Sequence, residues 1–426
     1  MNKRRRRSNP WLIAFLLLGI GFFVYLNIYV IPTVPAPFVP TPTATRDPKS
    51  FAQEADSYMA EGQISLAMES YTQAIKADPQ DVSNYLNLAR LQLYRGEYEA
   101  ARVNAENALL LDKTRPQAFT LLAWSKAFMG EYLEAEADLS AALDLDPNNA
   151  FAHAIYAFTM AMRVADDVAE LDTLDVAIDE SNRAINLDPN LMEAHWARGY
   201  VLEITANYEE AIEELEAAIA LNDNIAELHL ALGRNLLAVE EYDQAVYEFS
   251  NSYRLNPTDP DPYWYISRVY GLVGERSKAV QFAEDAVSVA PTDPFMYGNL
   301  GTMYYRDLQY NQAIEALELA VRGGTTAEGD VVEGLPLDYS MTITGFYSRY
   351  GLALARVNRC NDAVQVAQAM LQTVPDDETS VFNANEMIRI CQENQESPPT
   401  ATPTPEEGAT EAEPTQTPTP TDEMGG

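Results

Sequence analysis

The spacing of small residues limits the folds that this chain can adopt more than any other feature of its sequence. Three sets of residues recur every 34 positions: Gly62, Gly96 and Gly130, then Ala67, Ala101 and Ala135, and then Ala74, Ala108 and Ala142. The same frame continues, with two wider spacings, as far as Ala363 and Met370, which gives nine units. A fixed period of this length predicts a repeat protein, in which each unit buries its apolar face by packing on its neighbours.

Each unit has the pattern of two amphipathic helices joined by a tight turn. In NYLNLARLQLYRG, residues 84–96, and EYEAARVNAENALLLD, residues 97–112, apolar residues recur every three or four positions. Alanine or glycine at a helix crossing lets the two axes approach closely. Proline ends most of the second helices, since it cannot continue a helix. These prolines are Pro79, Pro147, Pro189, Pro257, Pro291 and Pro375.

The residues at fixed offsets within each unit resemble those of the tetratricopeptide repeat family. The second unit shows Tyr85, Leu88, Ala89, Gly96, Tyr98, Ala101 and Ala108, and the sixth shows Leu232, Gly233, Tyr242, Ala245, Phe249 and Pro257. The resemblance covers residues 48–394. It implies an all-α, right-handed α-solenoid of about nine helix pairs, closed by a C-terminal capping helix over ETSVFNANEMIRICQEN.

Some units depart from the family pattern. Lys113, Asp223 and Thr325 stand where the closing proline is expected. Pro147 and Pro189 are 42 residues apart and Gly301 and Gly351 are 50 apart, so two units contain insertions, near 162–174 and 324–341. Both insertions are predicted to be surface excursions, and the second is a candidate functional loop.

The segments that flank the repeats predict a membrane anchor and two spacers. Residues 1–10 carry five positive charges and residues 11–31 carry none, which predicts a transmembrane helix with a cytoplasmic basic N-terminus and the repeats outside the cytoplasm, in a bacterial cell membrane. A cleaved signal peptide is the alternative. Residues 32–47 form a Pro/Thr-rich linker, and residues 395–426 a disordered, acidic, Thr/Pro-rich tail.

Charge and motif content exclude several function classes. A net charge of −36 argues against nucleic-acid binding, which requires clustered lysine and arginine. His153, His195 and His229 occupy the same position of three successive units, so they are spaced along the stack and are predicted to be locally satisfied rather than to hold a metal. The chain lacks the motifs of a catalytic site. We therefore predict neither an enzyme nor a bound cofactor.

The family resemblance implies that the first helix of each unit lines a concave groove. The residues assigned to this groove are Arg90, Tyr94, Trp124, Phe128, Phe158, Trp196, Tyr200, Arg234, Trp264, Arg268, Tyr305 and Arg306, with Arg356 at its end. Aromatic residues and arginine dominate binding hot spots. The expected function is a membrane-anchored scaffold that binds a protein or peptide, in assembly of an envelope complex. Binding of a glycan or cell-wall polymer is the alternative, and a third possibility is that the rings only fill a curved core.

The chain has two cysteines, and both fall at its C-terminal end. In the family frame, Cys360 begins the second helix of the ninth unit and Cys391 lies in the last turn of the capping helix. The packing that the resemblance implies brings these positions within disulfide reach. A disulfide that fastens the cap is therefore predicted, and two buried free thiols are the alternative.

Overall fold

The computed structural model describes residues 9–26, 28 and 46–396. Within these residues the chain forms twenty α-helices and one two-stranded antiparallel sheet. The helices are α1 (Pro10–Tyr25), α2 (Pro48–Ala60), α3 (Ile64–Ala77), α4 (Val82–Tyr94), α5 (Tyr98–Leu111), α6 (Pro116–Phe128), α7 (Tyr132–Leu145), α8 (Ala150–Ala165), α9 (Thr173–Leu187), α10 (Met192–Ile204), α11 (Tyr208–Leu221), α12 (Ala226–Ala238), α13 (Tyr242–Leu255), α14 (Asp261–Val273), α15 (Arg276–Val289), α16 (Pro294–Arg306), α17 (Tyr310–Arg322), α18 (Met341–Arg356), α19 (Cys360–Thr373) and α20 (Glu378–Glu396). The strands are β1 (Gly323–Thr325) and β2 (Val331–Glu333).

The first helix differs from the predicted transmembrane helix over 11–31. Helix α1 has 16 residues, from Pro10 to Tyr25. Among the residues described, no helix is both long and apolar enough to cross a membrane. Residues 1–8 of the predicted cytoplasmic N-terminus, residues 27 and 29–31 of the predicted span, residues 32–45 of the predicted linker and residues 397–426 of the predicted tail lie outside the described part of the chain.

The chain divides into two compact units at residues 88 and 89. The first contains α1, α2, α3 and the beginning of α4. In it Tyr71 is buried, and its hydroxyl donates a hydrogen bond of 2.5 Å to Asp56 and accepts one of 3.1 Å from Asn87. The second unit, from Ala89 onward, contains the other helices and the candidate site.

Helix pairs in the second unit stack as the period predicts. Each second helix packs on its own first helix, and first helices of consecutive pairs, such as α8 and α10, are also neighbours. Added Cβ atoms would lie 2.8 Å from Leu215 at Gly199 and 2.5 Å from Phe249 at Gly233. The small residues therefore permit the close crossing within each pair, and the predicted repeat register is confirmed.

The turn inside each pair explains why glycine recurs with the period. One turn residue per pair has a positive φ, between 56° and 84° in the second unit; these residues are Gly96, Gly130, Asp167, Ala206, Glu240, Gly274, Leu308 and Asn358. Glycine adopts this conformation freely, whereas other residues lose roughly 1 kcal/mol. Tight packing of the two helices sustains the strained turns in the pairs that lack glycine.

The insertion at 324–341, predicted to be a surface excursion, forms most of the two-stranded sheet. Strands β1 and β2 pair in register, with Gly323 opposite Glu333. Val332 is buried against the C-terminal core, and the Leu335 N–H donates 2.8 Å to the Ala320 carbonyl. The segment is thus a hairpin docked on α17 rather than a free excursion. The other insertion lengthens α8 to Ala165 and adds the loop that precedes α9.

The C-terminal end of the stack has the predicted capping helix. Helix α20 packs on both α18 and α19, and it buries Ala384, Met387 and Cys391. Cys360 and Cys391 are joined as a disulfide, with their Cα atoms 5.4 Å apart. The bond connects the first residue of α19 to the last turns of α20.

Candidate functional site

The first helices of consecutive pairs in the second unit pack side by side and form one face of the stack, here called the inner face. The residues that the sequence assigned to a groove lie on it in two regions of different character. The N-terminal region, on α4, α6, α8 and α10, is filled by rings. The C-terminal region, on α14, α16 and α18, contains a cavity.

The N-terminal region is a continuous cluster of aromatic rings, here called the ring cluster. Its members are Tyr94, Tyr98, Trp124, Phe128, Phe151, Phe158, Trp196 and Tyr200. The centroids of Trp124 and Trp196 are 5.5 Å apart, and Phe158 stacks on Tyr200 at 4.6 Å. Trp124 is 1% exposed and Trp196 is 3% exposed. Tyr94 and Phe158 are also buried, so most of these rings form core and do not offer a contact surface.

A buried carboxylate ties α4 to α10 beside the ring cluster. Glu193 accepts a hydrogen bond of 2.7 Å from the Tyr94 hydroxyl and forms an ion pair of 3.3 Å with Arg90. The Arg90 guanidinium also lies 4.5 Å from the centre of the Phe151 ring. Burial and the nearby Glu193 raise the pKa of Tyr94 well above its usual range, which keeps the phenol neutral. Arg90, a predicted groove residue, is therefore already neutralised within the fold.

Arg234 is neutralised in the same way in the middle of the inner face. Its guanidinium lies 2.9 Å from a Glu203 oxygen and 3.3 Å from a Glu227 oxygen. Burial raises the pKa of Glu227 to about 7, with Asp259 adding to the shift and Arg234 opposing it. Burial likewise raises the pKa of Asp259 to about 6. This acidic cluster leaves no spare positive charge at Arg234.

The raised pKa of Glu227 predicts a specific pH dependence. The folded chain holds this proton above the ordinary pKa of 4.5, so the stabilisation is complete below pH 4.5 and is lost as the pH rises through about 7. The native chain loses this stabilisation between pH 5 and pH 8, whereas Glu227→Gln does not. We therefore expect the unfolding free energy of the variant, relative to the native chain, to rise by about 1 kcal/mol from pH 5 to pH 8, a figure reduced for solvent screening. Urea titrations at both pH values measure it, with the exposed Glu209→Gln as control. If the variant and the native chain differ in unfolding free energy by the same amount at both pH values, the raised pKa of Glu227 is contradicted.

The three histidines repeat one local arrangement. Each ring contacts a glutamate on the second helix of its pair through Nδ1, and a backbone carbonyl six residues earlier through Nε2. The contacts are His153 with Glu180 and Pro147, His195 with Glu214 and Pro189, and His229 with Glu248 and Asp223. Although burial opposes it, bonding to Glu248 and to the Asp223 carbonyl raises the pKa of His229. In the described residues no group of three or more side chains is placed to bind a metal.

The C-terminal region of the inner face contains a cavity of about 320 Å³, here called the arginine pocket. Helix α14 contributes Trp264, Arg268 and Leu272, helix α16 contributes Asn299, Thr302, Met303 and Arg306, and helix α18 contributes Met341, Thr342, Phe346 and Arg349. Gly298 permits the close approach of Phe346 from α18. The first helices of three consecutive pairs thus place polar and apolar groups around one opening.

Three arginines line this pocket without acidic partners. Arg268 stacks on Trp264, with its guanidinium carbon 4.4 Å from the ring centre, and Arg349 donates 2.8 Å to the Gly345 carbonyl. Over the stretches that the structure describes, Arg268, Arg306 and Arg349 form no ion pair within 4.0 Å. Burial, together with the charge of Arg306, lowers the pKa of both Arg268 and Arg349. The pocket can therefore donate several charge-assisted hydrogen bonds to an anionic group.

Two predicted groove residues, Tyr305 and Arg356, do not line the pocket. Tyr305 packs against Tyr310 at 5.6 Å and accepts a hydrogen bond that raises the pKa of Arg356, so both are engaged outside the pocket. Sequence reasoning missed Arg349. An arginine within the apolar stretch of α18 was the available signal, but the preceding insertion obscured its position in the repeat frame.

Comparison with known proteins identifies the repeats. Three tetratricopeptide repeat models match the chain, over residues 58–124, 116–149 and 197–260. A crystal structure of a tetratricopeptide repeat protein from Parabacteroides merdae is similar, with 14% identity and a TM-score of 0.38, over 60% of this chain and 98% of that one. Among curated proteins no match was found. Together with the helix pairs in their predicted register, the three matching models show that the chain contains tetratricopeptide repeats over the matched residues.

Proposed function

We propose that the protein is a scaffold that binds an acidic segment of a partner protein at the arginine pocket. Tetratricopeptide repeats generally mediate protein–protein interaction, and proteins built from them are typically non-enzymatic scaffolds. The observation that carries the proposal is the set of three arginines without counter-ions, Arg268, Arg306 and Arg349, around an open cavity. Carboxylates are the complementary protein groups, because guanidinium binds them with two parallel hydrogen bonds.

The same geometry favours a peptide over a glycan. Sugars stack on open aromatic faces, but Trp124 and Trp196 are buried in the ring cluster. Trp264 is only partly buried, and Arg268 lies over its ring. Exposed apolar groups beside the arginines, such as Met341 at 90% exposure, suit the apolar side chains that flank a carboxylate in a peptide.

Affinity capture tests the proposed partner site. The native chain, the double variant Arg268→Gln with Arg306→Gln, and the control Arg115→Gln serve as baits in a membrane extract, and mass spectrometry identifies the retained proteins. Arg115 is a matched control because it is about half exposed and pairs with Asp112 away from the pocket. We expect the double variant to lose at least about tenfold in retention, since each charged hydrogen bond contributes about 1.5–3 kcal/mol. Equal retention by all three baits would refute the site.

We further propose that this scaffold acts in an envelope complex, held at the membrane by residues 11–31. Helix α1 supports a lipid contact, because none of its side chains is buried and Trp11, Phe15 and Phe23 are each more than 70% exposed. The basic residues that precede α1 support an outward orientation of the repeats. Protease added to spheroplasts should then remove the repeats, and complete protection would contradict the orientation.

A further inference from the structure

The arginine pocket holds three positive charges without acidic partners, in contrast to Arg90 and Arg234 elsewhere on the inner face. The chain has a net charge of −36, and the inner-face arginines Arg90 and Arg234 are paired with glutamates. In the pocket, by contrast, Arg306 repels both Arg268 and Arg349, and partial desolvation also disfavours the charge of these two arginines. Such a site lowers its free energy by binding an anionic group.

Residues 397–426 of the same chain form an anionic segment. This stretch of thirty residues contains no lysine or arginine. Its six acidic residues are Glu406, Glu407, Glu411, Glu413, Asp422 and Glu423. The segment is therefore complementary in charge to the pocket.

The segment begins close to the pocket. The described chain ends in α20, which packs along α18, and α18 supplies Arg349. Near the end of α20, the Asn394 side chain donates 3.1 Å to the Ala355 carbonyl of α18. Ala355 follows Arg349 by about 9 Å along the helix axis. Thirty residues can extend up to about 100 Å, so chain length allows all six acidic residues to reach the pocket.

Covalent attachment also overcomes the electrostatic barrier to an acidic ligand. A free acidic peptide is repelled by the strong negative charge of the whole protein before it meets the pocket. A tethered segment is present at an effective concentration on the order of millimolar. We propose that residues 397–426 bind in cis to the arginine pocket and compete there with an acidic partner. Only the competition rests on the proposed function, since the cis contact requires no partner.

A synthetic fluorescent peptide of residues 397–426 tests this contact in the full chain. One variant, here called the tail-neutral chain, replaces the six acidic residues of the segment with their amides. We expect the tail-neutral chain to bind the peptide at least about tenfold more tightly than the native chain, because the native segment already occupies the pocket. Within the tail-neutral chain, Arg268→Gln with Arg306→Gln should abolish binding, whereas Arg115→Gln should not. Fluorescence anisotropy measures the affinities, and circular dichroism verifies the helical content of each variant.

Two results would overturn the cis contact. One is equal peptide affinity in the native and tail-neutral chains, and the other is equal affinity in the pocket variant and the Arg115→Gln control. These outcomes are distinct from failure of the proposed function. If the peptide does not bind but the pocket variant still loses its captured partner, the cis contact is wrong and the partner site stands. If the peptide binds as expected but the pocket variant captures the partner as well as the native chain does, the cis contact stands and the partner site is wrong.

Discussion

Replacing Trp124 with alanine should lower the unfolding free energy of the surrounding helix pairs by about 3–5 kcal/mol. The side chain is 1% exposed, and its ring lies within 6 Å, centroid to centroid, of Tyr94, Phe151 and Trp196. Truncation leaves a large cavity that the packed rings cannot close. Urea unfolding followed by circular dichroism measures the loss, and hydrogen exchange shows whether it is confined to α4 through α10.

The matched control for this prediction is Trp264→Ala. Trp264 is partly exposed at the arginine pocket, so its truncation should cost half as much stability or less. It should nevertheless weaken partner binding, whereas Trp124→Ala should leave the affinity of the folded fraction unchanged. Equal losses of stability in the two variants would show that the ring cluster is not the core of this region.

Removing the Cys360–Cys391 bond should destabilise the C-terminal cap by about 3–4 kcal/mol. The bond closes a loop with a sequence separation of 31 residues and fastens α20, the last helix of the described residues. In a repeat stack such a loss appears first as local opening. We therefore expect the amides of α20 to exchange about 10²–10³ times faster in Cys360→Ser with Cys391→Ser, measured by mass spectrometry.

Two controls separate the bond from simple thiol packing. Reductant should accelerate exchange in the native chain but leave the double variant unchanged. Mass mapping of the non-reduced protein purified from its native source should recover the linked pair of cysteine peptides. Two alkylatable thiols in that material would mean that Cys360 and Cys391 are ordinary packing residues.

The repeat architecture could be predicted because it depends on local geometry. Small residues recur every 34 positions because the close helix crossing and the positive-φ turn require them. Both features lie within one unit. The position of the cap follows from the same frame, and so does the proximity of the two cysteines. The hairpin at β1 and β2 could not be predicted in this way, because its short strands lie in an insertion that breaks the period.

Which rings of the inner face are buried and which of its arginines are paired depends on how successive helix pairs are rotated. The repeat frame does not specify that rotation. Tyr94 and Glu193 are 99 residues apart, yet they share a hydrogen bond because α4 reaches α10. For that reason the sequence could place rings on the inner face but could not tell that Trp124 and Trp196 are buried while Trp264 borders a cavity. The partners of Arg234 and the absence of acidic partners at Arg306 likewise depend on how successive pairs are rotated.

The central claim is that partners bind at the arginine pocket, and site-specific photo-cross-linking tests it most directly. A photoreactive amino acid is placed in the full chain either at Met341, 90% exposed at the pocket, or at Leu133, 70% exposed on the second helix α7. We expect the captured partner to cross-link at Met341 and not at Leu133. Cross-links that form equally at both positions, or only at Leu133, would contradict the claim.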